Sequence, residues 1–263
     1  MFNLSQTHKS IGFCFCLVSC SISLIKLQSK HLSQKLSTKN SNTYIEQEEH
    51  QQAIAVFQKK MPAFGYDNLL ADWAYLQFLQ YFGDTEARQV TGYSIVTDYF
   101  ETIVKRDPHF VQAYFAISSA NSLFAARPEK TVELINQGLQ VITPQHPGYP
   151  FYLWTYKATD EILFLGDLKA AKHSYNKAAE WARAREDDLG NEVAENFDRT
   201  ADFLASDPNP IKSQIGAWMT ALSGTKDAKT RNYILDKLRN LGAEITIDPD
   251  GRVNVKPPQQ VET

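Results

Sequence analysis

Residues 166–183 read Gly-Asp-Leu-Lys-Ala-Ala-Lys-His-Ser-Tyr-Asn-Lys-Ala-Ala-Glu-Trp-Ala-Arg. Gly166 and Asp167 break one helix, and Ala171, Tyr175, Ala178 and Ala179 put small and aromatic residues on one face of the next. Small residues let helix backbones approach closely, and an aromatic between them fills the space that remains. This is the pattern of a tightly packed helical hairpin, and it sets the expectation of a stacked-helix scaffold that binds something.

The same rhythm continues on both sides. Ile95, Val96, Tyr99, Phe100, Ile103 and Val104 recur on one helix face, and Asp107-Pro108 ends that element. A helix over residues 109–125 is expected to turn Ala113, Phe115, Ala116, Ala120 and Leu123 inward. Val132, Ile135, Leu139 and Ile142 mark a further stripe, and the Pro144–Pro150 segment breaks the chain. Upstream, residues 45–60 open on Glu46, Glu48 and Glu49, turn Ile54 and Phe57 inward and end before Pro62. Residues 67–82 are apolar on most faces, which predicts a helix buried on two sides and stopped by Gly83. Downstream, helices are expected at 190–205, 210–222 and 227–240, with Gly242 as a stop. Ile245–Ile247 and Val253–Val255 then alternate around Asp248-Pro249-Asp250-Gly251 as a small β-hairpin.

Pro108 and Pro144 lie 36 residues apart, near the 34-residue period of the tetratricopeptide (TPR) repeat. Residues 67–183 resemble three degenerate TPR units. In the third, Gly166 and Asp167 match the hairpin turn, Ala171 and Ala178 the small crossing residues, and Tyr175 the aromatic between them. The second has Tyr114 at the first-helix aromatic and Gly138-Leu139 where the family has Ala-Leu. The first has Trp73, Leu76, Phe100 and Asp107-Pro108, with an extended loop near 84–92. Ser118 and Thr159 stand where the family has its first-helix glycine. Ala71-Asp72-Trp73 and Tyr81-Phe82-Gly83 are also similar to the first unit of a poorly characterised group of bacterial TPR-like proteins. The resemblance covers a little under half of the chain. It implies an all-α, right-handed solenoid of helical hairpins, with the small C-terminal β-hairpin appended and a concave face lined by first helices. Residues 190–240 read as one more hairpin and a cap.

The 263 residues are 43% hydrophobic and 22% charged, ordinary for a globular body. Residues 1–43 carry five lysines and no acid, so the rest of the chain is at −8 within a net charge of −3. An acidic body argues against nucleic acid as a partner, since phosphate binding needs a basic face. Cys14, Cys16 and Cys20 all lie in the N-terminal segment, so the body has neither a disulfide framework nor a cysteine-based zinc site.

Residues 11–25 form an uncharged, mostly apolar run, shorter than the roughly 20 residues of a membrane-spanning helix and closer to a signal-peptide core. Leu17-Val18-Ser19-Cys20 resembles the bacterial lipobox, which implies lipidation of Cys20; Ile22, Leu24 and Ile25 depart from the polar residues that usually follow. A retained anchor, an ordinary cleaved signal and a cytosolic extension remain the alternatives. Residues 1–25 are thus read as signal peptide or anchor, 26–44 as a flexible basic tether, 45–242 as the TPR-like body and 243–263 as hairpin and polar tail.

No metalloprotease, nucleophile-elbow, phosphate-loop or dinucleotide-binding motif is present, and no two of the six histidines share a helix at ligand spacing. No catalytic residue, cofactor or metal site is therefore assigned. Asp187-Asp188 reads as a solvated helix end, and Asp248–Gly251 as a turn, since Pro249 and the missing downstream Glu spoil a calcium loop. A concave face would present Gln112, Phe115, Ser119, Tyr156, Asp160 and Leu163 from first helices. The Lys, Arg and Asn positions with which some TPR domains clamp chaperone tails are missing, which points to an apolar or aromatic groove. The expected function is a membrane-tethered scaffold for protein partners in a bacterial envelope or internal membrane. A soluble cytosolic adaptor is the first alternative. An enzyme assembled from Asp160, Glu161, His173 and Asp187 is the second, and strand addition by the C-terminal hairpin the third.

Overall fold

Gly166 adopts φ +70° and ends one helix, and the Asp167 carboxylate accepts the Ala170 amide (2.9 Å) to start the next. In the computed structural model the described residues are 18–19, 21–23, 25–26, 41–249 and 252–258. Cys20, the lipidation candidate, lies outside them, as do Asp250 and Gly251 of the expected turn. The helices are α1 (Ser41–Lys60), α2 (Asp67–Gly83), α3 (Thr85–Thr91), α4 (Val96–Arg106), α5 (Val111–Ile117), α6 (Pro128–Leu139), α7 (Phe151–Asp160), α8 (Leu168–Arg183), α9 (Asp188–Ala205), α10 (Ile211–Gly224) and α11 (Ala228–Asn240). Strands β1 (Glu244–Ile247) and β2 (Val253–Lys256) pair antiparallel, with Ile245 opposite Val255. Helices α5 and α7 each run on into a widened π turn, Ser118–Phe124 and Glu161–Leu165.

The chain divides into Met1–Gln47 and Glu48–Thr263. In the first unit residues 18–19, 21–23, 25–26 and 41–47 are helical. Among the described residues no helix is long and apolar enough to cross a membrane. The helix expected from residue 45 begins at Ser41, inside the segment read as tether.

In the second unit, successive helices pair as hairpins. Helix α2 packs on α4, with Phe78 against Phe100 (ring centroids 4.7 Å) and Tyr81 against Tyr99 (5.6 Å). Helices α4 and α6 pack together, as do α5 and α7, α7 and α8, and α8 and α9. Phe78, Phe100, Ile103, Tyr114, Ile117, Ile135 and Phe151 form the main core. Glu48, where the second unit begins, bonds into this body. Its carboxylate accepts from the Tyr81 hydroxyl (2.6 Å) and from Arg88 (2.9 Å), whose guanidinium lies 3.5 Å from the Tyr81 ring centroid.

Several expectations change. Helix α9 packs on α8, but α10 turns back and lies across both π turns, where Phe164 meets Trp218 edge-on at 5.0 Å. A second core of Trp218, Ile234, Leu235 and Leu238 forms there. The loop expected at 84–92 contains α3, capped by the Asp84 carboxylate on the Ala87 amide. Phe57 is exposed, because Ala55 and Gln58 take the buried face of α1. Helix α2 is buried on one side only: Leu69, Trp73, Leu76 and Leu79 face outward, since none of the described residues of the second unit stacks on that side.

Candidate partner-binding face

The first helices bring aromatic side chains together across their boundaries. Phe115 of α5 lies 5.8 Å from Tyr156 and 6.5 Å from Tyr152 of α7. Tyr152 also meets Phe197 of α9 edge-on at 6.5 Å, and Phe197 reaches Tyr175 of α8 at 6.2 Å. The result is an aromatic strip over α5, α7 and α9, with Tyr152 exposed and Phe115, Tyr156 and Phe197 half-buried. Aromatic side chains offer large contact area at small entropic cost, which suits a recognition surface.

Of the six residues read as groove candidates, Phe115 and Tyr156 belong to this strip. Gln112 and Ser119 are exposed on α5 and its π turn. Leu163 packs partly against the second core, under α10. Asp160 is not at the surface at all: it is completely buried. Its side of α7 meets the preceding first helix, where Ser118 and Ser122 stand. Tyr152 and Phe197 were not among the candidates. Tyr152 precedes Tyr156 by one turn, a spacing visible in the chain, whereas Phe197 arrives from a separate hairpin.

Asp160 is the most unusual group in the interior. Neither carboxyl oxygen has a hydrogen-bond partner of sound geometry. Ser122 directs its hydroxyl to Thr131 (2.8 Å), which also receives the Asn121 amide (3.0 Å), and Thr97 donates to Asn121 (2.6 Å). That chain of bonds is complete without Asp160. Burial pushes the Asp160 carboxyl up to about 7, against the smaller opposing effect of the Ser118 and Ser122 hydroxyls.

Of the four residues weighed for a dispersed catalytic site, three have contacts of their own and the fourth is buried in the core. Glu161 pairs with Lys157 (2.7 Å), and Asp187 pairs with Arg185 and caps α9 through the Gly190 amide (2.7 Å). His173 is exposed and edge-on to Trp154, and Asp160 is sealed in the core. His109 and His146, from different loops, stack at 5.6 Å, two donors short of a tetrahedral metal site. Among the described residues no group of three metal-binding side chains occurs. A separate concavity of about 290 Å³ opens between the starts of α6 and α11, lined by Ala126, Arg127, Lys130, Asp227 and Tyr233.

No family model, curated protein or solved structure matches the chain.

Proposed function

We propose that the chain is a TPR-like helical scaffold, tethered to a bacterial membrane through its N-terminal segment, that holds a protein partner on its aromatic strip. The observation that carries this reading is the contact of Phe115 with Tyr156 across two first helices, which leaves Tyr152 exposed beside them. Stacking of hairpins is supported where the second helix α4 packs on the second helix α6 and the first helix α5 on the first helix α7. Helices α10 and α11 then close one edge of the stack rather than extend it.

Tethering rests on the apolar run at 11–25 and on Leu17-Val18-Ser19-Cys20, with Cys20 as the lipidated residue. The partner is protein rather than nucleic acid, in keeping with the charge of −8 on residues 44–263.

A photoreactive phenylalanine analogue at Tyr152 tests the reading in membranes of cells that make the full chain. The expected result is a crosslink to one defined protein, lost when Phe115 and Tyr156 are both changed to Ser. A crosslink that survives those changes, or no crosslink, overturns the assignment of this face. The mass of the mature N-terminus tests the tether separately, a diacylated Cys20 being expected.

A further inference from the structure

Helix α2 has a core face and a bare face. Ala71, Ala74, Phe78 and Tyr81 are buried, while Tyr66, the residue just before the helix, and Leu69, Trp73 and Leu76 within it are 67, 62, 53 and 52% exposed. The exposed four follow the spacing i, i+3, i+7, i+10, the a and d positions of a heptad seam. A seam of that period fits a second helix lying alongside, with side chains entering the gaps between its neighbours; it does not fit an extended strand. Leu79 widens the seam at one edge. At these exposures the five side chains present on the order of 600 Å² of largely apolar surface, the upper end of what a monomer leaves bare and near one partner's share of an ordinary interface.

Charge decides which helix fits. Residues 61–87 contain Asp67, Asp72, Asp84 and Glu86, and no Lys, Arg or His. Asp67 is paired with Arg106 (2.9 Å) and Asp84 caps α3, but Asp72 is exposed at the border of the seam. A second copy would bring two acidic surfaces face to face, and an anionic lipid surface would be repelled in the same way. A helix with basic flanks would be attracted.

We propose that the Tyr66–Leu76 seam of α2 docks an amphipathic helix of another protein, one with Leu-type residues at heptad spacing and Lys or Arg beside them. This surface is distinct from the aromatic strip on α5 and α7, so either assignment can fail without the other.

The test uses the full-length chain and two labelled 18-residue host peptides, both with Leu at a and d, one flanked by Lys and the other by Glu. Fluorescence anisotropy is expected to show the Lys peptide binding at least tenfold tighter. Leu69→Ser with Leu76→Ser is expected to weaken that binding at least tenfold, with the melting temperature unchanged because both side chains are already exposed. Asp72→Lys is expected to narrow the preference between the peptides severalfold. Equal binding of the two peptides, or binding indifferent to the double substitution, overturns the proposal. So does a dimer by light scattering, or binding to phosphatidylcholine vesicles, that the double substitution abolishes.

Discussion

Lys157 and Glu161 form an ion pair one turn apart at 2.7 Å, with only 8 and 4% of their side chains exposed. Ser174 of α8 sits between them, accepting from Lys157 (2.9 Å) and donating to Glu161 (2.8 Å). The pair therefore joins the two helices of the hairpin that turns at Gly166. A buried pair of this kind adds little over an apolar replacement, but breaking it leaves one charge without a partner in the interior. Lys157→Met is expected to cost about 3–5 kcal/mol in urea denaturation. Lys157→Met combined with Glu161→Leu is expected to recover most of that loss, so the two substitutions are strongly non-additive.

Asp160, the residue before Glu161, makes stability depend on pH in the direction opposite to a carboxylate paired with a cation. Its folded value near 7 lies above its ordinary 3.8. Between those values the unfolded chain has released the proton and the folded chain retains it, so stability falls as pH rises from about 4 to about 7 and then levels. The full effect is about 4 kcal/mol. Asp160→Asn keeps the shape and removes the titration. Denaturation midpoints from pH 4 to 8.5 are expected to lose this downward slope in the variant, which should be the more stable protein at pH 8.

The hairpins were legible because each stands on local signals. Proline and glycine punctuate the chain, and apolar residues recur at 3.6-residue spacing, so the helix limits at 190–240 agree with the structure to within a few residues. Asp160 shows where that counting stops. It lies one turn beyond Tyr156 and so shares its face by period, but the neighbouring first helix brings Ser118 and Ser122 over it. The exposed seam of α2 was hidden for the opposite reason. An apolar helix looks the same in sequence whether a neighbour covers its second side or not. The course of α10 depends on Phe164 meeting Trp218, a contact between distant residues that no local pattern announces.

That contact gives a further prediction. Trp218 is 1% exposed and anchors the second core, which α10, α11 and the hairpin complete. Trp218→Ala is expected to cost about 3–5 kcal/mol, as removal of a buried aromatic usually does. The loss should fall first on the C-terminal helices. Limited proteolysis is expected to cut near the 206–210 connection well before the α2–α9 body is degraded. Simultaneous loss of both regions would show that the two cores unfold as one.

Gly138 and Tyr114, read from the sequence as features of one unit, prove to be partners in a single contact. A Cβ on Gly138 would come within 2.5 Å of the Tyr114 ring and hydroxyl. Tyr114 is 1% exposed, with its hydroxyl bonded to the Pro108 carbonyl (3.1 Å), so it has little room to retreat. The glycine one residue before the end of α6 is thus the space that the large Tyr114 ring needs. Helix propensity alone would make Gly138→Ala stabilising by up to about 1 kcal/mol. Crowding against a fixed ring is expected to outweigh that gain and leave a net loss of about 1–3 kcal/mol in thermal or urea denaturation. Tyr114→Leu should be destabilising in the parent protein, because it leaves a cavity and removes the bond to Pro108. In the Gly138→Ala background the same change should cost much less, since the added methyl then occupies part of the space the ring vacates. Equal costs of Tyr114→Leu in the two backgrounds would show that the glycine and the tyrosine are not coupled.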